Sequence, residues 1–499
     1  MLEAGGNAFD AVVAASWAAC VAEPVLASLG GAGFLMARQG SGQATLFDCG
    51  AQTPLVRRAA GETEFMPVTV EFGTASQQFH VGLGSVATPG LVQGLFHIHR
   101  ELCSLPMTQL VEPAVRWARR GLEVLPLQAY LFNLVAPIFT FSAEARRVYG
   151  SPTVAGKPVQ AGERLILPEL ADSIEALARE GAELFYRGDM GRALVAAGTG
   201  GGGHLTLDDL EAYQVEPREP LRLAYRDAEL WLNPPPSSGG ILVAFGLKLL
   251  EACELSQLDW AGEQFQTLLA RILEQTGLAR AAGYDGREQE PEVVEAFLAD
   301  ANLAGYLSDL AHQFPQTSGT THISVGDRDG NVASLTITNG EGCGYVAPGV
   351  GVMLNNMLGE QDVHPQGFHC WEPNTRISSM MAPAVATRGG TTIAVGSGGS
   401  NRIRTCLLQV LVKLIDFGLS GDQAVNSSRI HMEDGLLSIE GGFAPQTVAA
   451  LREAFTEVEL WPERNLFFGG AHVVIHDRQR GEFEGAGDER RGGVALIVD

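Results

Sequence analysis

Two threonine hydroxyls can be set opposite each other from the sequence alone. The segment Thr320-Thr321-His322-Ile323-Ser324-Val325-Gly326-Asp327 alternates with period two, and Asp329-Gly330 is a hairpin turn signal. The return strand runs from Asn331 to Thr338. Centring the turn on Asp329 pairs His322 with Thr336, Ile323 with Leu335, Ser324 with Ser334 and Val325 with Ala333. Odd positions then form a largely apolar face and even positions a largely polar one, a sorting that a one-residue slip would invert. Thr320 falls opposite Thr338, with Cβ atoms roughly 4.5–5.5 Å apart, close enough for their side chains to hydrogen-bond. A threonine hydroxyl is a weak nucleophile until a base stands beside it. Taken alone, the hairpin reads as structural, because threonine is a good strand former and a polar outer face is ordinary.

Other elements must hold this hairpin. Residues 7–22 read as a helix, with Asn7 as cap and Asp10 three residues later. Leu29-Gly30-Gly31-Ala32-Gly33 is then a tight turn into a strand at Phe34-Leu35-Met36. Residues 85–185 read as mostly helical, as do Ile241 to about Leu255 and residues 259–313. The pattern changes to alternating strand at residue 320.

The chain has 499 residues, enough for two to four domains or one large α/β unit. With 45% hydrophobic and 18% charged residues it can build a large core, and disorder is excluded. A net charge of -24 argues against nucleic acid as a partner, since such binding rests on Lys and Arg. Seven scattered cysteines without a CxxC pair suggest neither a zinc site nor a disulfide framework. No apolar run is long enough for a membrane span. No basic leader precedes Glu3, which makes the cytoplasm the default expectation. The sequence enters structured elements at once, so a leading segment is expected to be missing.

Taken with its neighbours, Gly319-Thr320-Thr321-His322-Ile323-Ser324-Val325 resembles the processing site of the γ-glutamyltranspeptidases. Gly5-Gly6-Asn7-Ala8-Phe9-Asp10-Ala11, Pro234-Pro235-Pro236-Ser237-Ser238-Gly239-Gly240, Leu354-Asn355-Asn356, Ser378-Ser379-Met380 and Gly396-Ser397-Gly398-Gly399-Ser400 resemble further motifs of that family, in the same order. The resemblance covers essentially the whole chain. It implies that the bond between Gly319 and Thr320 is cut by the chain itself. The freed α-amine, with a pKa of about 7.7–8.0, then serves as base for the Thr320 hydroxyl. By the same resemblance Thr338 hydrogen-bonds that hydroxyl, the backbone N–H groups of Gly399 and Ser400 form the oxyanion hole, Glu360 holds a glutamyl α-amine, and Ser378 and Ser379 hold its carboxylate. His322 is expected to be supporting structure.

The sequence also departs from that family. Gly50 stands where a carboxylate-clamping arginine is expected, and glycine cannot replace a bidentate pair. Arg57, Arg58 or Arg376 would have to substitute. Thr338-Asn339-Gly340-Glu341 replaces a threonine–leucine–asparagine run, so Asn339 or Glu341 would take over the lost contact. The loop from Gln361 to Ile377 is short for the family's lid, and a wetter site favours water as acceptor. His364, His369 and Cys370 in that loop match no metal-site spacing. The family usually has a strand and the start of a helix before the glycine–glycine–asparagine motif.

The resemblance implies an α+β fold, a four-layer αββα sandwich of the N-terminal-nucleophile hydrolases. Residues 1–319 would form a large subunit and 320–499 a small one, held together as a heterodimer. It implies no cofactor or metal, a γ-glutamyl donor such as glutathione, and water, an amino acid or a peptide as acceptor. Two alternatives stay open: an amidohydrolase for another acyl group, such as a glutaryl β-lactam side chain, and a silent protein that never cuts itself.

Overall fold

The computed structural model describes residues 1–72, 75–196, 198, 201–308, 320–364 and 366–498. Helix α1 (Ala8–Ala22) starts on Asn7, whose side chain accepts from Phe9 and Asp10 N–H while Asp10 returns a bond to Asn7 N–H. This reciprocal cap satisfies donors that a helix start otherwise leaves open. Strands β1 (Ala32–Arg38) and β2 (Ala44–Cys49) follow. A largely helical stretch comes next, including α2 (Leu91–Leu102), α3 (Met107–Arg120) and α4 (Pro168–Glu180). Strands β3 (Glu216–Arg218), β4 (Leu221–Tyr225) and β5 (Ala228–Leu232) precede α5 (Ser238–Glu251) and α6 (Glu263–Gly283). The expected helix over 259–313 is broken into α6 and two shorter helices up to Ser308, and residues 309–313 lie outside those described.

The hairpin is β6 (Thr321–Gly326) and β7 (Val332–Thr338), in the register expected from its polar and apolar sorting: His322 faces Thr336 and Ile323 faces Leu335. Strands β8 (Ala384–Arg388) and β9 (Thr391–Gly398), helix α7 (Arg402–Ile415), and strands β10 (Gly470–Asp477) and β11 (Glu482–Gly487) complete the main framework. One sheet has the order β6-β7-β1-β2-β3 and the other β11-β10-β9-β8-β5-β4, with every neighbouring pair antiparallel.

The sheets meet through β6 and β7 against β9 and β10. Helix α1 packs on the far side of β6 and β7, while α5 and α7 pack on the second sheet. Strand β1 shows the two-sided burial: Leu35 and Ala37 join the core under α1, and Phe34 and Met36 join the core shared with the second sheet. The even face of the hairpin is therefore not an outer face. His322, Ser334 and Thr336 are buried between the sheets, and Ser334 Oγ donates to Val395 O at 2.9 Å. Burying a polar face is tolerable only because such partners are present.

Several sequence motifs are close approaches of backbone. A Cβ on Gly31 would lie 2.3 Å from Thr338 O, and one on Gly239 would lie 2.1 Å from Met380 O. Asn355 clamps two loops, donating to Gly30 O at 2.8 Å and Ala87 O at 3.0 Å. Asn356 Oδ1 accepts from Glu341 and Gly342 N–H. Gly31→Ala is therefore expected to push the end of β7 aside and to destabilise the chain by about 1–3 kcal/mol. Urea denaturation reads this directly; an unchanged midpoint would show that the turn yields freely.

Candidate active site

Thr320 begins the segment that becomes β6, and Thr338 ends β7. Both are buried, at 4% and 8% exposure. The ladder runs to the pair Thr321 and Ile337, and its next step brings residues 320 and 338 together. Both line one cavity of about 40 Å3, with Glu360, Ser379, Ser400 and Gly50. The remaining wall is apolar: Phe34, Ala51, Met357, Val363, Ile377, Met380, Met381 and Ile403. Thr338 Oγ1 accepts from Gly340 N–H at 3.0 Å. Gly319 lies outside the described residues.

Gly399 and Ser400 sit at the turn from β9 into α7. Gly399 has φ +121°, and a Cβ there would meet Gly469 Cα at 2.9 Å. Ser400 has φ +49°, a region L-residues other than Gly, Asn and Asp seldom occupy. Its hydroxyl donates to Asp362, which fastens the turn to the loop after Glu360. Asp362 was not singled out by sequence reasoning, although it lies two residues beyond Glu360. Ser400 lines the cavity, whereas Gly399 lies just outside its lining.

Adjacent serines divide their tasks, as neighbours in an extended segment must. Ser379 lines the cavity, and its Oγ accepts from Met381 N–H at 3.0 Å. Ser378 Oγ instead shares a 2.8 Å hydrogen bond with Ser238 Oγ. Ser379 O accepts from Ser238 N–H at 2.8 Å, so the start of α5 holds this segment in place. Asn339 and Glu341 are buried but lie outside the cavity lining. The strand ends at Thr338, and Gly340 and Gly342, at φ +63° and +87°, turn the chain back.

Among the described residues lining the cavity, no arginine takes the place of the one expected at residue 50. Arg376 sits directly behind Gly50 but is engaged there. Its Nη1 donates to Gly50 O at 2.8 Å, its Nη2 to Gln214 O at 2.8 Å, and its Nε lies 3.3 Å from buried Asp48. The guanidinium also covers the Tyr213 ring. Burial opposes its charge, but Tyr213, Asp48 and Glu216 outweigh burial and raise its pKa. Arg57 is turned to Trp371, whose carbonyl oxygen accepts from it at 2.7 Å. Arg58 does not line the cavity either.

A different arginine reaches the threonine. Arg491 Nη1 donates to Thr320 O at 3.2 Å. Its short segment is anchored by fully buried ion pairs, Arg429 with Asp488 at 2.7 Å and Arg490 with Asp488 at 3.1 Å and Glu440 at 2.5 Å. Burial would raise the Asp488 pKa, but Arg429 and Arg490 hold it at about 2. Sequence reasoning gave no signal for Arg491, which no motif contains.

Below Thr320, His322 Nδ1 hydrogen-bonds Thr336 Oγ1 at 2.8 Å and Nε2 hydrogen-bonds Ser324 Oγ at 3.0 Å. A Cβ on Gly396 would overlap the ring. Burial, with His472 next, depresses its pKa well below the usual value, so it is a neutral packing group.

This arrangement, opposed threonines at the head of a hairpin facing a glycine-rich strand–helix turn, coincides with a match of residues 1–498 to the Gamma-glutamyltranspeptidase family model. The chain belongs to the gamma-glutamyltranspeptidase family. The glutathione hydrolase proenzyme of Pseudomonas aeruginosa is 31% identical, over all of this chain and 92% of its own length. The Acylase ACY 1 proenzyme of a Pseudomonas species is 32% identical, over 90% of this chain and 82% of its own. The cephalosporin acylase structure from Bacillus halodurans shares the fold, with a TM-score of 0.86 at 22% identity, covering all of this chain and 92% of that one. As a gamma-glutamyltranspeptidase family member the chain is an enzyme of the hydrolase and transferase class. Among the described residues, no helix is long and apolar enough to cross a membrane.

The buried histidines give this family member a predictable acid sensitivity. His322 is held below its unfolded pKa of about 6.5, and His472 is lowered to about 4, by burial first. As pH falls below about 6.5, the unfolded chain takes up protons before the folded one. Their contribution is therefore complete above about pH 6.5 and declines as pH falls, for His472 by up to about 1.4 kcal/mol per unit until pH 4 is approached. Urea titrations of an uncut chain between pH 7 and 4 check the slope, which His472→Asn should reduce.

Proposed function

We propose that this chain is a precursor that cuts itself before Thr320 and then hydrolyses or transfers acyl groups from γ-glutamyl amides, glutathione among them. The observation that carries this reading is the cavity shared by Thr320, Thr338, Glu360, Ser379 and Ser400, five residues from four separate segments. In it, the Thr320 hydroxyl first attacks its own preceding carbonyl, the Thr320 nitrogen leaves as the free amine, and water then hydrolyses the resulting ester to separate the two chains and restore the hydroxyl. After the break its α-amine takes the hydroxyl proton, and Thr338 holds the oxygen in line. The substrate carbonyl oxygen would lie against the backbone N–H groups of Gly399 and Ser400. The amine leaves, and water, an amino acid or a peptide receives the acyl group in a second step. Glu360 faces a cationic substrate group. Ser379 offers its hydroxyl to the acyl chain, and Ser378, Asn339 and Glu341 support from behind.

The same reading divides the chain into residues 1–319 and 320–499, and arranges the two sheets and their covering helices as a four-layer αββα sandwich. The second reading, an acylase for a different acyl group, is favoured by the arginine-free cavity and by the relative named as an acylase.

On a denaturing gel, purified protein is expected to give two fragments instead of one band at 53.0 kDa, the smaller beginning Thr320-Thr321-His322. Thr320→Ala should remain whole and lose all amidase activity, while Thr320→Ser should cut itself and keep part of it. A wild-type chain that stays whole yet cleaves γ-glutamyl anilide would overturn the mechanism.

A further inference from the structure

The turn from β9 into α7 is fastened by a side chain that does not itself border the cavity. Ser400 lines the cavity at φ +49°, a conformation that glycine adopts freely and serine does not. Its hydroxyl donates to Asp362 Oδ2, and both residues are buried, at 7% and 6% exposure. Asp362 Oδ1 has no hydrogen-bond donor among the described residues, so the hydrogen bonding of this carboxylate falls on Ser400. A charged acceptor makes such a bond roughly twice as strong as a neutral one.

Asp362 is itself held. It lies in the single helical turn Gln361–Val363, and Arg280 of α6 reaches both sides of the contact. Arg280 Nη2 donates to Asp362 O at 3.3 Å, and Nη1 donates to Asn401 Oδ1 at 3.4 Å. Asp285, 2.8 Å from Nε, fixes that guanidinium. Asn401 Nδ2 donates to Glu433 Oε1 at 3.4 Å, and Glu433 pairs with Arg404 of α7. The Asp362 turn and the Ser400 turn are thus two sides of one buried polar frame, which the hydroxyl–carboxylate bond closes. Without that bond Ser400 would keep a strained φ with nothing to hold it, and relaxation there would turn its N–H away.

We propose that Asp362 is a positioning residue for acyl transfer, acting through the Ser400 hydroxyl to aim the Ser400 N–H at the substrate carbonyl oxygen. The proposal rests on the reading of Thr320 as nucleophile with Gly399 and Ser400 as oxyanion donors. A well-aimed donor counts more in the transition state than in substrate binding, so its loss is read in kcat.

Rates are measured per mole of chain cut before Thr320, on γ-glutamyl p-nitroanilide, or on glutaryl p-nitroanilide if that is turned over faster. Asp362→Ala is expected to lower kcat about tenfold and to change KM less than about threefold. Asp362→Asn keeps an acceptor and should recover most of the loss. Ser400→Ala keeps the strain without the hydroxyl and should lose as much as Asp362→Ala, whereas Ser400→Gly removes both and should lose less. In the Ser400→Gly background Asp362→Ala should cost no more than about twofold, because the path through the hydroxyl is already gone. An equal loss from Asp362→Ala in both backgrounds, or a loss confined to KM, overturns the proposal and leaves the threonine mechanism standing. If Asp362→Ala fails to fold or to cut itself, the Ser400 variants decide, and Ser400→Ala no slower than Ser400→Gly overturns it. Wild-type protein cut before Thr320 that turns over neither anilide, or uncut Thr320→Ala with wild-type activity, overturns the underlying reading as well.

Discussion

The register of one antiparallel hairpin governs everything else at this site. Thr320 and Thr338 meet because β6 and β7 pair without slippage, and a shift by one residue would turn both side chains toward α1. The register is pinned from two directions. Ile323 and Val325 pack toward the core under α1, while on the face toward the second sheet His322 bonds Thr336 and Ser324 within the hairpin and Ser324 Oγ donates to His472 O. Neither face can be exchanged for the other, since one would bury unpaired hydroxyls in an apolar layer and the other would press methyl groups against carbonyls.

Much of this hairpin was legible in the sequence, because period-two sorting of apolar and polar residues leaves a single consistent pairing. Its orientation was not. A face of serine, threonine and histidine looks solvent-facing, and nothing local shows that Val395 O and His472 O wait on another sheet to receive those hydroxyls. The helix at Ala8–Ala22 was readable for a similar reason: Asn7 and Asp10 form a cap within four residues. The break beyond Gly283 was missed although it holds Gly286, at φ +84°, and Pro291, both local helix breakers.

Motifs were easier to find than to interpret. The asparagines at 355 and 356 stand out in the sequence only as part of a motif, and their amides tie together loops that are far apart along the chain. Ser378 and Ser379 are adjacent letters facing opposite directions, so only Ser379 borders the cavity. Asn339 and Glu341 follow a strand end that two left-handed glycines bend away. The glycine at 50 was a visible departure, but its consequence depended on Arg376 being already occupied by backbone carbonyls and Asp48.

The two sheets are each assembled from both sides of residue 320. The first draws β1, β2 and β3 from before it and β6 and β7 from after it, and the second draws β4 and β5 from before and β8 to β11 from after. Scission at that point would consequently produce two polypeptides with no independent core. Each would be template and scaffold for the other, and they could come apart only by melting as one cooperative unit, so a nicked molecule would outlast its broken bond without any covalent tether.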